Sequence, residues 1–174
     1  MYRKSIKYFI FLVLTGVCCM AVNGQIRTVV NDGIISEDSA TAVILYEKAQ
    51  KEFDSNNFDL AKESATQALQ LAMRSNQKII EVSVLSLIGD IDLSQGLAGD
   101  ALPFWLRAAD LYESWNDTSS LALMYSRIAE CYYREGIYEK ENEYWLKALS
   151  ITPTGHYEKR EEYLEKISLS LLNQ

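Results

Sequence analysis

The residues best equipped for chemistry are few and scattered. The one histidine, His156, follows the turn Pro153-Thr154-Gly155, and of three cysteines two, Cys18 and Cys19, fall in an N-terminal apolar stretch. With Cys131 the only cysteine beyond that stretch, no zinc set of His and Cys can be assembled. His156 reads as a solvated turn or helix-start residue rather than a base, and Cys131, inside an apolar helical pattern, as a small buried hydrophobe rather than a nucleophile. Asp90 and Asp92 are two positions apart, so a helix turns them to different faces and they make no acid–base pair. Gly96-Leu97-Ala98-Gly99 lacks the lysine and the preceding strand of a phosphate loop, and there is no Gly-x-Ser-x-Gly elbow. Glu158, Glu161, Glu162 and Glu165, mixed with Lys159, Arg160 and Lys166, form the solvated face of a helix. Asn116-Asp117-Thr118 is a glycosylation sequon only in a eukaryotic host. The expectation is a protein that is not an enzyme and has no cofactor and no metal.

Composition narrows the alternatives. The 174 residues carry 17 basic and 24 acidic side chains, a formal charge of −7, which disfavours general affinity for nucleic-acid phosphates. Hydrophobic residues make up 48%, enough for a core. Two prolines and eight glycines are few beside a usual proline share of about 5%. That scarcity points to long helices.

The elements that must position any site repeat at a spacing of forty. Ala68, Ala108 and Ala148 are forty residues apart, as are Ala49, Gly89 and Ala129, then Leu45, Leu85 and Tyr125, then Phe53, Leu93 and Tyr133. Asn56, Gly96 and Gly136 mark a turn in the same register. Such a period signals a repeat architecture. Each unit reads as two helices. In the third, Leu121, Tyr125, Ile128, Ala129 and Tyr132 make one apolar stripe ending at Gly136; Tyr138, Trp145, Ala148 and Leu149 make the next, ending at Pro153. The units span about 37–76, 77–116 and 117–153, with helices over 37–54, 58–74, 77–95, 100–115, 118–135 and 138–151. A further helix over 155–172 acts as a cap, and 36–174 forms one repeat domain. Asp100 is the expected N-cap of the fourth helix, with Pro103 in its first turn.

The N-terminus reads as an address. Arg3, Lys4 and Lys7 precede an apolar run from Tyr8 to Val17, and small or permissive residues lead to Val22-Asn23-Gly24, the pattern of a secretory signal peptide over 1–24. Cleavage is expected after Gly24, or alternatively after Ala21. Retention as an N-terminal membrane anchor is the alternative, and lipidation at Cys18 or Cys19 a lesser one. Cleavage would remove three basic residues and no acidic one, leaving a charge of about −10 and one cysteine. The mature chain then has no membrane-inserting run. Residues 25–35 read as a flexible leader, with a small hairpin at Asn31-Asp32-Gly33 as the other reading.

The run Ala129-Glu130-Cys131-Tyr132-Tyr133-Arg134-Glu135-Gly136-Ile137-Tyr138, continued by Trp145-Leu146-Lys147-Ala148-Leu149 and Pro153, resembles the tetratricopeptide repeat (TPR) family over about residues 37–153, in a forty-residue variant like that of many bacterial signalling proteins. The resemblance implies an all-α, right-handed superhelical solenoid of three helix pairs plus the capping helix. Two residues depart from the pattern: Lys48 stands at an apolar site, and Glu141 replaces the alanine seen at Ala61 and Ala101. In the family, the first helices of successive units line a concave groove for a peptide. By register that groove would show Tyr46, Gln50 and Phe53, then Ser86, Asp90 and Leu93, then Ser126, Glu130 and Tyr133, with Arg134 at the edge. This mixed aromatic and acidic wall suits a peptide with apolar anchors and basic residues. The competing reading makes Phe53, Leu93 and Tyr133 structural filling.

The function that the resemblance implies is non-catalytic protein or peptide binding by a scaffold of the cell envelope, exported to the periplasm of a Gram-negative bacterium. The alternative is an extracytoplasmic input module of a sensor kinase or regulator. The last helix carries Tyr163, Leu164, Ile167, Leu171 and Leu172, which either cover the third unit or join a second copy of the chain. Exposure of both Leu169 and Leu172 would favour a homodimer or a missing domain.

Overall fold

A computed structural model describes the backbone of residues 18–22, 25–30 and 33–172, and the side chains from 36 to 172. Three short strands come first: β1 (Cys18–Val22), β2 (Gln25–Val30) and β3 (Gly33–Ile35), antiparallel in the order β1-β2-β3. In the second pair Thr28 stands opposite Ile35, Val29 opposite Ile34 and Val30 opposite Gly33. Apart from the backbone of β1, the signal segment 1–24 lies outside the described residues.

Seven helices follow: α1 (Glu37–Asp54), α2 (Phe58–Arg74), α3 (Lys78–Ser94), α4 (Ala98–Ser114), α5 (Thr118–Arg134), α6 (Tyr138–Ile151) and α7 (Tyr157–Leu172). Each packs on its neighbours in sequence, and α1 also touches α3, giving an all-α solenoid of three pairs and a final helix. None of the described helices is long and apolar enough to cross a membrane.

The turns explain the regularity. Asn56, Asn76, Gly96, Asn116 and Gly136, twenty apart, all have positive φ between 55° and 80°. At each, two backbone bonds close the preceding helix. After α1, for example, Asn56 N–H donates to the Phe53 carbonyl (2.9 Å) and Asn57 N–H to that of Glu52 (2.9 Å). This pairing is the Schellman arrangement, which needs a left-handed residue; glycine adopts it freely and asparagine tolerates it. The carbonyl of the next residue then opens the following helix. This direct hand-over corrects the expected start of α4. Leu97 closes α3 onto Asp92, and its carbonyl accepts from Ala101 N–H (3.1 Å). The helix therefore begins at Ala98, Asp100 lies within its first turn rather than capping it, and Pro103 lies inside the helix.

The small residues at the forty-residue spacing are in the core. Ala49, Ala129, Ala68, Ala108 and Ala148 are all fully buried. Trp105 is the largest wholly buried side chain and centres a cluster with Val82, Leu85, Met124 and Ile128. A second cluster joins Ala49, Ala65 and Ile88, and a third joins Ala129, Trp145 and Tyr163. Tyr163 thus docks α7 onto the third unit, its ring 5.4 Å from that of Trp145. Lys48, out of place in the repeat pattern, is exposed and reaches Glu52 at 3.6 Å. Its register partners Ile88 and Ile128 are buried against a preceding pair, and among the described residues no helix precedes α1.

Candidate functional site

The residues expected in the groove fall on α1, α3 and α5, and links between these helices recur at one spacing. Tyr46 of α1 lies beside Ser83 of α3, Asp90 of α3 reaches Arg127 of α5 at 3.6 Å, and Ser126 of α5 lies beside Tyr163 of α7. Each pair is separated by the same number of residues in sequence, so the first helices of successive units are stitched along one wall. Burial pushes the phenols of Tyr46 and Tyr163 up in pKa. Burial likewise raises the Asp90 carboxyl, assisted by Glu130 and opposed by Arg127.

The expected side chains divide into displayed and structural ones. Gln50 is exposed and donates to the Tyr46 hydroxyl at 2.8 Å. Ser86 is half-buried, its hydroxyl donating to the Val82 carbonyl and lying 3.7 Å from Met124 Sδ. Tyr133 is 51% exposed, its ring 6.3 Å from that of Tyr138. Glu130 and Arg134 pair at 3.0 Å on the same helix. Leu93, by contrast, is buried in the central cluster. Phe53 packs on Phe58 at 5.8 Å and against the first cluster. At these two positions the side chains pack on neighbouring apolar residues, Leu93 buried and Phe53 half-buried.

The third unit opens into a cavity of about 710 Å³ between α5, α6 and α7. Ser126, Glu130, Tyr133 and Arg134, four of the expected residues, line its α5 wall. Arg127 and Leu123 complete that wall, α7 contributes Glu162, Lys166, Leu169 and Ser170, and α6 contributes Glu141 and Trp145. Sequence reasoning missed the α6 and α7 contributions. One signal was available: Glu141 breaks the Ala61–Ala101 series, and a charged residue at a packing position needs somewhere to point. Glu141 is 3% exposed and accepts from Trp145 Nε1 (3.2 Å) and Ser170 Oγ (2.7 Å).

The residues considered for chemistry lie apart. Asp90 faces Arg127, whereas Asp92 turns to Lys62 of α2 at 2.5 Å. His156 is exposed in the turn before α7. Cys131 is buried, and burial pushes its thiol up to about 12. Among the described residues no group of His, Cys, Asp or Glu is arranged to hold a metal ion. Leu169 and Leu172 are both exposed.

No protein-family model matches the sequence and no curated protein matches it. Solved structures do match in fold. RapI in its apo form aligns with a TM-score of 0.71 at 14% identity, over 78% of this chain and 38% of its own. Aspartyl phosphate phosphatase F from Bacillus subtilis gives 0.70 at 24% identity, over 78% of this chain and 36% of its own. The chain therefore spans well under half the length of either. The first TPR of Spaghetti (RPAP3), solved with the HSP90 peptide SRMEEVD, gives 0.59 at 20% identity, over 80% and 99%.

Proposed function

Because the chain is folded as a tetratricopeptide repeat solenoid, we propose that it is a non-catalytic scaffold that binds a protein or peptide through the concave wall of α1, α3 and α5, continued by α7. The observation that carries this reading is the open cavity of about 710 Å³, lined by Ser126, Glu130 and the exposed Tyr133. Open concave sites with an aromatic side chain and a few polar groups are where partners dock. The solved complex of the RPAP3 repeat with a peptide shows that this fold accommodates such a guest. The signal-like N-terminus, with its basic start and apolar run, supports export and a place in the cell envelope.

Crosslinking pull-down from the native envelope fraction tests both halves of the proposal. It should recover a protein partner, and Tyr46→Ala or Tyr133→Ala should weaken recovery. Unchanged affinity for a confirmed partner in both variants would reject the groove, and a chain found only in the cytoplasm would reject the location. The exposed Leu164, Leu171 and Leu172 on α7 support a further contact with a second copy, which sedimentation at rising concentration checks.

A second reading, an input piece of a signalling system, draws on the fold likeness to RapI and to an aspartyl phosphate phosphatase. A partner that proves to be a membrane-anchored regulator would favour it.

A further inference from the structure

Three carboxylates are buried in the helical domain, and they are not treated alike. Glu81, wholly buried, is held by Lys78 at 2.8 Å and by Arg107. Asp92, also wholly buried, is held by Lys62 at 2.5 Å. Glu141 is as deeply placed, yet among the described residues it has no cation. Its two oxygens accept only from the neutral Trp145 Nε1–H and the Ser170 hydroxyl. A buried charge without a counter-charge is costly. The first two sites are closed by the chain itself, while the third lines an open cavity.

The cations of that cavity do not fill the gap. Arg134 is committed to Glu130 at 3.0 Å and Arg127 to Asp90 at 3.6 Å. Lys166 is exposed on α7, four residues after Glu162 on the same face. The rim is therefore nearly balanced, and the carboxylate set deepest carries the uncompensated charge. Each of its oxygens keeps a lone pair after accepting one bond, so it can still receive an N–H from a guest. Tyr133 at the mouth offers a ring along which an alkyl stem or a guanidinium can lie. An acidic guest would bring a second negative charge to the same place.

We infer that this cavity is the specificity pocket of the groove, and that it takes a basic side chain, arginine or lysine, from the bound peptide, whose cation completes the pairing of Glu141. The inference rests on the proposed peptide binding and says which residue the peptide must supply. It also explains why alanine gives way to glutamate only in the third unit. Ala61 and Ala101 are closed over by a following helix pair, whereas Glu141 faces α7 and the open cavity.

The test is selection of a random decapeptide display library on the full chain, beside Glu141→Gln and Glu141→Ala. The alanine variant restores the residue of the other two units and so keeps the fold even if glutamine does not; thermal melts verify both. Wild type should enrich peptides with arginine or lysine at one fixed position. Synthetic versions should bind it about tenfold or more tightly than their glutamine-substituted forms, with a preference that weakens in salt. In both variants the preference should vanish while residual binding persists. Enriched peptides without a fixed basic position, or a preference that survives in Glu141→Ala, would overturn the pocket assignment and leave groove binding standing. Failure to enrich any peptide would overturn both. A concentration-dependent dimer abolished by Glu141→Ala would give the pocket to a second copy and overturn the peptide assignment.

Discussion

The indole of Trp105 occupies the space where a side chain at position 89 would begin: a Cβ built on Gly89 lies 2.5 Å from Trp105 Cε2 and Nε1. The two residues sit on the paired helices α3 and α4, and the pair at these positions differs from unit to unit. In the first unit Ala49 and Ala65 fill the equivalent places. In the third, Ala129 coexists with Trp145, whose indole instead packs on Tyr163 and donates to Glu141. Gly89→Ala should therefore destabilise by about 1–3 kcal/mol, because Trp105 has no free space to move into, although alanine is the better helix former. Gly89→Ala combined with Trp105→Leu should recover part of the loss. Urea unfolding of the two variants checks this; equal midpoints for Gly89→Ala and wild type would show that the indole yields.

Among the described residues Lys62 is the only cation on the wholly buried Asp92, and the second oxygen, Oδ2, has no hydrogen-bond partner there. Lys62→Met removes the charge but keeps the stem. It should cost about 3 kcal/mol, since it leaves a buried carboxylate uncompensated. Replacing both as Lys62→Met with Asp92→Leu should restore most of the stability. A double-mutant cycle by denaturant unfolding reads the coupling directly.

Glu81 makes stability depend on acid. Burial by itself raises its carboxyl pKa, but the hydrogen bonds and charges of Lys78 and Arg107 outweigh that, and the net direction is down. A folded pKa below the unfolded one adds stability that is fully present above the unfolded value, about 4.3 for glutamate. That stability is lost as the pH falls from there through the lower folded value. Thermal melts from pH 7 down to pH 3 should show Glu81→Gln less stable at neutral pH and less sensitive to acid than wild type. Parallel curves for the two proteins would remove Glu81 from the acid response.

How far the sequence led can be traced through particular residues. The alanine lines and the Asn and Gly turns are legible because packing geometry and positive φ each demand a narrow set of residue types. Helix ends slipped where backbone alone decides: Leu97 has no capping side chain, so nothing in its chemistry announces that α4 starts one residue later. Leu93 and Phe53 shared the register of Tyr133 but not its exposure, because where a helix face ends depends on its neighbour's side chains rather than on period. The α7 side of the cavity was out of reach altogether. Ser170 meets Glu141, and Lys166 comes to line the same cavity as Arg127, only after three helices have packed.

Cys131 should behave as core. It is fully buried, and with its thiol pushed up to about 12, by burial first and by Glu130 next, almost none is thiolate near pH 8. Site-resolved alkylation with iodoacetamide at pH 8 should leave the Cys131 peptide largely unmodified in the native protein and modify it fully in denaturant. Rapid native labelling at that peptide would mean that α5 opens locally.

The five turns with positive φ allow a comparison in which position is constant and only residue type changes. Gly136 has φ +72° with nothing near a would-be Cβ, so Gly136→Ala introduces no clash and reports backbone conformation alone. It should cost about 1 kcal/mol, the penalty of a left-handed alanine. Asn116, at φ 56°, already carries part of that penalty, so Asn116→Gly should be near neutral or slightly stabilising while Asn116→Ala should cost a fraction of a kcal/mol. If all three melt together with wild type, the Schellman turns do not limit stability and the helix pairs are held by their alanine seams alone. If Gly136→Ala alone lowers the midpoint, the last pair and α7 hang on that turn, and the cavity they enclose should loosen with it.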